Sequence, residues 1–434
     1  MTNLRAAYSP KSFRENTHEL VDILADYLES AQNQTDETVI PFQSPEDSLA
    51  FWQADFEAGI DPNPNNLFKT IIQKSTHLHH PKYMGHQVGV VAPIAATASM
   101  LTTLLNNGMA VYEMGLVSNP LEKIVTDLMA KRIGFDENTN GLLTSGGTLA
   151  NLTALLAARA KLTDVWESGN AEKLAVMVSE EAHYCIDRAA RIMGMGSEGI
   201  IKVPVNEHFQ IRVDLLEKYY QDATDKGFKV IAIVGSSCST STGSYDDLVG
   251  IGQFAKSKNI WFHVDGAHGG AVVFSEKYKY LVNGIEQADS VVIDWHKMLM
   301  TPALATALIF KNGDDAYQTF HQKAQYLWAN QTSQDWFNSG KRTFECTKLM
   351  MSVKIYAILK TYGEGIFAEN VDYLYDLGRE FAKMINESKN FELAVEPQSN
   401  IVCFRLKSAQ NERTAEVRKR LLEKGNFYIV QTSI

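Results

Sequence analysis

Asp289-Ser-Val-Val-Ile-Asp294-Trp-His296-Lys297-Met-Leu-Met-Thr-Pro302 decides how the whole chain is read. Ser290 to Ile293 is a short apolar run of strand length, and three ionisable groups, Asp294, His296 and Lys297, follow almost at once. A lysine where a core strand leaves its sheet is costly to bury unless it is paired or neutralised. One use suits that cost: a lysine held out of water is a good amine for a Schiff base with an aldehyde. Taken alone, Lys297 reads equally well as a surface lysine opening a helix. The other strand ends must decide.

Four more apolar runs flank this stretch: Leu174-Ala-Val-Met-Val178, Lys229-Val-Ile-Ala-Ile-Val234, Ile260-Trp-Phe-His-Val264 and Thr306-Ala-Leu-Ile-Phe310. Continuous apolar strands alternating with helical segments predict an α/β fold, a mostly parallel central sheet covered by helices on both faces. Ligands of such sheets sit beyond the carboxyl ends of the strands. Polar residues gather there: Ser179-Glu-Glu-Ala-His183, Gly235-Ser-Ser-Cys-Ser-Thr240, Asp265-Gly-Ala267-His268, and Asp294 with His296 and Lys297. One such cluster is an ordinary turn. Four on one edge make a site.

Thr144-Ser-Gly146-Gly147-Thr148 opens a further helix, Leu149-Ala-Asn-Leu-Thr-Ala-Leu-Leu. The two glycines let backbone N–H groups approach a ligand, and a helix start favours an anion. The turn lacks both the GK[ST] of a Walker loop and the spacing of a dinucleotide turn, and by itself reads equally as a helix cap. Together with a strand-end lysine it favours an aldehyde cofactor bearing a phosphate. Pyridoxal phosphate is such a cofactor. It draws electrons only while its ring nitrogen is protonated, which calls for a fixed carboxylate, and Asp265 is the candidate.

The remaining text sets limits. The chain has 434 residues, enough for one large core and a smaller domain, and is 45% hydrophobic and 21% charged, as soluble globular proteins are. A net charge of −10 without a basic block argues against nucleic acid or an anionic membrane as partner. No run has signal-peptide or membrane-spanning length. The scattered Cys185, Cys238, Cys346 and Cys403 contain no CxxC and predict free thiols in a reducing cytoplasm. Leu20, Val21, Ile23, Leu24, Tyr27 and Leu28 mark an amphipathic helix over 14–31, and Ser44-Pro45-Glu46-Asp47 starts another. Helical patterning returns over 92–131. The expected organisation is a helical arm and dimerisation segment over 1–80, a large cofactor-binding α/β domain over 81–311, and a loop with a small α+β domain over 312–434. Phe427-Tyr-Ile-Val looks like a strand without a neighbour, as if the sequence stopped inside its last domain.

These motifs resemble the pyridoxal-phosphate-dependent group II amino-acid decarboxylases, enzymes of fold type I. The resemblance rests on His80-Pro81-Lys-Tyr83-Met-Gly-His86-Gln87, Asn107-Gly-Met-Ala-Val-Tyr-Glu113, Thr144-Ser-Gly-Gly-Thr148-Leu-Ala-Asn151, Ser179-Glu-Glu-Ala-His183, His263-Val-Asp265-Gly-Ala267-His268 and the Asp289–Lys297 stretch. It implies that Lys297 carries the cofactor, Asp265 pairs with the ring nitrogen, and His183 and Ala267 lie on the two ring faces. Gly146, Gly147, Thr148, Asp294 and His296 would lie near the phosphate and Thr240 near the phenolic oxygen. Tyr83, His86 and Gln87 would face an L-amino-acid substrate, acidic, diamino or aromatic, and the enzyme would be a homodimer with its site at the subunit interface. Lys341 and Arg342 read either as a lure for a second carboxylate or as solvated charges. The family's mobile loop carries a proton-donating tyrosine, whereas Leu327-Trp-Ala-Asn-Gln-Thr-Ser-Gln-Asp-Trp336-Phe337-Asn338 has none, and Tyr326 sits just before it.

Three other readings compete: another lyase of the same fold, a metal hydrolase built from His77, His79, His80, Asp265 and His268, and a decayed regulatory homologue. The histidine spacing lacks HExxH, and intact Lys297, Asp265 and His183 argue for catalysis.

Overall fold

Seven apolar runs pair into one sheet: β1 (Asn140–Thr144), β2 (Lys173–Ser179), β3 (Ile200–Val203), β4 (Phe228–Ser236), β5 (Trp261–Asp265), β6 (Ser290–Asp294) and β7 (Thr306–Phe310), in the order β1-β7-β6-β5-β4-β2-β3. β2 to β6 run parallel. β7 is antiparallel to both neighbours, β6 and β1. The computed structural model describes residues 3–320, 335–407 and 411–434, without the side chains of 411 and 412. These form two units, Val88–Arg405 (with Ile434), which holds the sheet, and Met1–Gln87 with Leu406–Ser433.

The expected strands are present, with two differences. β1 and β3 join the sheet although their sequences, Asn-Gly-Leu-Leu-Thr and Ile-Ile-Lys-Val, are too short to stand out. β7 returns antiparallel because the stretch 295–305 before it holds no helix, and a parallel return needs about a dozen residues or more.

Alternate residues of each strand face two cores. One contains Val176, Trp261, Val292 and Leu308 and is covered by the helix Gly147–Leu162 through Ala150, Ala154, Leu155 and Ala158. Its small side chains bring that helix close to the strands. The other contains Met177, Phe262, Val264, Val291 and Ile309 and takes Val125 and Met129 from Ser118–Ile133, Ile355 from Met351–Tyr362, and Phe367 and Tyr375 from Gly365–Glu387. The helical stretch expected over 92–131 is two helices, Pro93–Leu105 and Ser118–Ile133, because Asn106 caps the first in the left-handed conformation. Phe391–Leu393 and Phe404–Leu406 form a small separate sheet.

In the other unit each of three helices has proline at its start and a polar side chain capping it: Ser9 before Pro10–Asn33, Ser44 before Pro45–Glu57 and Asn63 before Pro64–Lys74. The strand near the end of the chain does find a partner. Tyr428 and Ile429 pair in parallel with Tyr83 and Met84, and the Gly425 carbonyl accepts from the N–H groups of Val39 and Ile40.

Residues after 334 are pinned to the start of the sheet. Buried Arg342 donates to Asn140 Oδ1, the Gly141 carbonyl (3.0 Å) and the Trp336 carbonyl (2.7 Å), and Lys341 pairs with Asp335 at 3.1 Å. Both cations therefore have structural partners, and neither is a solvated charge. Lys348 is enclosed more deeply. Its ammonium lies 2.6 Å from Glu122 and 2.7 Å from the Leu143 carbonyl, with both side chains under 5% exposed. Lys348→Met alone strands a buried carboxylate and is expected to cost about 3–5 kcal/mol in denaturant unfolding, much of which the double replacement with Glu122→Leu recovers.

Candidate active site

The parallel strands deliver their polar ends to one edge. β5 ends on Asp265 and β6 on Asp294, and the Asp294 N–H donates to the Ala267 carbonyl at 3.1 Å, tying the two turns together. The turn after β6 brings Lys297 back onto Asp294, with the ammonium 3.1 Å from Oδ2. Asp294 is 2% exposed and also accepts from Thr306 Oγ1 on β7. His296 Nε2 lies 3.7 Å from the same Oδ2, while its Nδ1 lies 2.9 Å from the Ala305 carbonyl. Lys297 thus stands at the sheet edge, held by a buried carboxylate, and is not a solvated surface lysine.

The glycine turn meets this cluster. Gly146, with φ +121, has the conformation only glycine takes readily, and no side chain caps the helix that begins at Gly147. A Cβ on Gly147 would lie 3.4 Å from Asp294 Oδ1 and 3.6 Å from the Ala267 Cβ, so the cradle stands against both turns. Ser145 donates to Glu345 Oε1 at 2.9 Å. Gly89 has the tightest approach: a Cβ there would sit 1.9 Å from the Lys297 carbonyl oxygen, and its N–H points to the His296 carbonyl. The sequence reading missed Gly89, although an isolated glycine in Val88-Gly-Val90 signals a close backbone approach.

His183 caps the helix Tyr184–Ile192, its Nδ1 accepting from the Cys185 N–H at 3.3 Å. The ring therefore carries its hydrogen on Nε2. Burial pushes its pKa down; Asp265 opposes that shift and Lys297 adds to it, which puts His183 in the electrostatic reach of both. Asp265, 8% exposed, accepts from the Ala267 N–H (3.2 Å) and from Asn151 Nδ2 (3.1 Å). Thr240 lies exposed in the turn after β4. Tyr83, His86 and Gln87 belong to the other unit, where Tyr83 stacks on Tyr428 (5.1 Å, 8°) and His86 Nε2 lies 2.9 Å from the Tyr428 hydroxyl. Tyr428 was not singled out from sequence. Among the described residues no group of three or more His, Cys, Asp or Glu is placed to hold a metal, and no helix is long and apolar enough to cross a membrane. Residues 321–334, which include Tyr326 and most of the tyrosine-free loop, lie outside the described residues.

The pyridoxal-dependent decarboxylase conserved domain matches residues 23–407. The chain belongs to that family. An aromatic-L-amino-acid decarboxylase of Bacillus atrophaeus is 25% identical over 96% of this chain and 86% of its own length. An L-2,4-diaminobutyrate decarboxylase of Acinetobacter baumannii is 26% identical (92% and 81%), and an aspartate 1-decarboxylase of Aliivibrio fischeri 28% (80% and 67%). The crystal structure of mouse CSAD shares the fold with a TM-score of 0.90 at 23% identity, covering 98% of this chain and 93% of that one. This decarboxylase is thus a fold type I carboxy-lyase that uses pyridoxal phosphate and acts on an amino acid. Its residues fit the cofactor by type: an amine for the aldehyde, a carboxylate for the ring nitrogen, and an uncapped helix start for the phosphate, in a cradle where a methyl group would already touch the wall.

Two buried histidines beside the site are expected to make the decarboxylase acid-sensitive. Burial pushes His263 and His268 down to about 4, and Lys297 pushes His268 further in the same direction. Both folded values lie below the unfolded value of about 6.5, so the unfolded chain binds more protons and stability falls as pH drops from about 6.5 towards 4. Each group is expected to contribute a loss of the order of 3 kcal/mol. Melting temperature measured across that range should decline less steeply in His268→Gln, which cannot titrate.

Proposed function

We propose that this decarboxylase converts an acidic or diamino L-amino acid, such as aspartate, glutamate or 2,4-diaminobutyrate, to the corresponding amine and carbon dioxide. The observation that carries this reading is the polar segment 80–87, where His86 and Gln87 follow Tyr83 and His86 is fixed by the Tyr428 hydroxyl. The aspartate and diaminobutyrate relatives support it. An aromatic substrate is the second reading, favoured by the flat Tyr83–Tyr428 stack.

When bound, the cofactor supplies the electron sink for the breaking Cα–carboxylate bond. The chain's own residues do the rest. Lys297 would provide the amine that holds the cofactor, and Asp294 orients that amine at 3.1 Å. Asp265 offers its carboxylate to the ring nitrogen. His183, with a hydrogen at Nε2, would lie against one face of the ring, and Ala267 against the other. Gly146, Gly147, Thr148 and His296, with Asp294, would hold the phosphate end, and Thr240 would serve the phenolic oxygen. Holding the scissile bond across the ring and excluding water lower the barrier through orientation.

We also place the enzyme in the cytoplasm as a homodimer with its site at the subunit interface. Leu101, Leu104, Leu105, Leu116 and Val117 are more than half exposed, an apolar surface that a second copy would cover. Mass measurement in solution should give twice the 48.4 kDa of the chain; a monomer would refute the dimer.

A panel of L-amino acids with product identification tests the function: carbon dioxide and amine from aspartate, glutamate or diaminobutyrate are expected, and turnover confined to aromatic substrates would replace the first reading with the second. No turnover of any member would favour the decayed homologue. Lys297→Ala is expected to abolish both carbon dioxide release and the yellow colour. Asp265→Asn should still bind the cofactor through Lys297, though it releases it faster, and lose most activity, by about 100-fold or more.

A further inference from the structure

Trp261, His263 and Asp265 alternate along β5 and so share one face, the face covered by the helix Gly147–Leu162. Asn151, in the first turns of that helix, reaches this row. Its amide lies 3.1 Å from Asp265 Oδ2 through Nδ2 and 2.7 Å from His263 Nε2 through Oδ1. On the far side, His263 Nδ1 lies 2.8 Å from Ser290 Oγ and 3.1 Å from the Ser290 carbonyl oxygen, and Trp261 Nε1 donates to Ser290 Oγ at 2.8 Å. Asn151, His263, Ser290 and Trp261 are each at most 3% exposed, shielded from bulk solvent.

The bonding in this row has one consistent direction. A carboxylate only accepts, so the Asn151 group facing Asp265 is the NH2 and the group facing His263 is the carbonyl. The carbonyl requires a hydrogen on His263 Nε2. A neutral ring then has a lone pair on Nδ1, which takes the Ser290 hydroxyl hydrogen, and the Ser290 oxygen in turn takes the indole N–H. The low value of His263, about 4, agrees with a neutral ring. Turning the Asn151 amide round would set its carbonyl against Asp265, two acceptors facing each other inside the core, at the cost of a buried unpaired group.

We infer that Asn151 and His263 are positioning residues, which with Ser290 and Trp261 form a one-way hydrogen-bond chain that fixes the donor side of the Asn151 amide on Asp265 and so aims the other carboxylate oxygen, and its charge, at the cofactor's ring nitrogen. The inference rests on the proposed pairing of Asp265 with that nitrogen. The chain acts through Asp265 alone and touches no reacting atom.

The test compares holoenzyme variants by two readouts besides turnover: the pH midpoint of the visible absorption band and the rate at which bound cofactor is lost. A ring with weaker electron demand leaves the lysine-derived nitrogen more basic, so the midpoint should move to higher pH. Asn151→Leu and His263→Phe are expected to raise the midpoint and speed cofactor loss by roughly 10- to 100-fold, the range for a lost hydrogen bond to a charged group. kcat should fall while KM holds. His263→Gln, whose amide can donate from the same place, should restore most of the effect. Ser290→Ala, a small change remote from the ring, should give a weaker shift in the same direction and remains readable if the larger replacements do not fold. Asp265→Asn is the reference. If it moves the midpoint while folded Asn151, His263 and Ser290 variants keep the parent's, the chain plays no positioning role. If Asp265→Asn itself leaves the midpoint in place, the pairing of Asp265 fails and the inference falls with it.

Discussion

Everything at this site follows from the need to keep opposite charges together in a nearly dry place. Asp294 is 2% exposed and Asp265 8%, and a carboxylate in such surroundings is expensive unless it is paired and hydrogen-bonded. Asp294 meets that need with Lys297 and Thr306, and Asp265 with Asn151 and the Ala267 N–H. The sheet sets this up: parallel strands stop along a line, so adjacent ends bring a carboxylate from β5 and a carboxylate–lysine pair from β6 within one neighbourhood.

The same need explains the close packing around Lys297. Gly89 lies against the Lys297 carbonyl, Gly147 against Asp294 and Ala267, and the alanine-rich helix Gly147–Leu162 against the sheet. Each close approach replaces water near the charges with backbone. A low local dielectric strengthens every pair that is satisfied and penalises each that is not. Small residues at this edge are thus part of the electrostatics as well as of the packing.

Much of this could be read from the sequence. The four polar strand ends and the glycine turn were visible because parallel buried strands are plain apolar runs, and whatever follows them stands out. Lys297, Asp265, Asp294 and Gly147 are found as one neighbourhood. β1 and β3 were not visible, because four or five residues carry too little pattern. The reversal of β7 was open to inference from the short, helix-free connection before it, a length constraint that hydrophobicity does not reveal. Arg342 read as a possible lure for a carboxylate or a solvated charge, and only tertiary contacts show it bonded to β1. Asn151 and His263 were visible only as parts of motifs: the period of two along β5 puts His263 beside Asp265, but nothing in the sequence says which helix covers that face.

The parallel pairing of Tyr83 with Tyr428 has a bearing on how the protein is made. Residues up to Gln87 leave the ribosome first, yet the strand that completes their unit is encoded after the whole of Val88–Arg405. During synthesis at about 5–20 residues per second, Tyr83 and Met84 are made long before Tyr428 and Ile429 exist to pair with them. The sheet-bearing unit can close before they pair. The pairing of Tyr83 with Tyr428 must therefore wait until the whole intervening unit has been made.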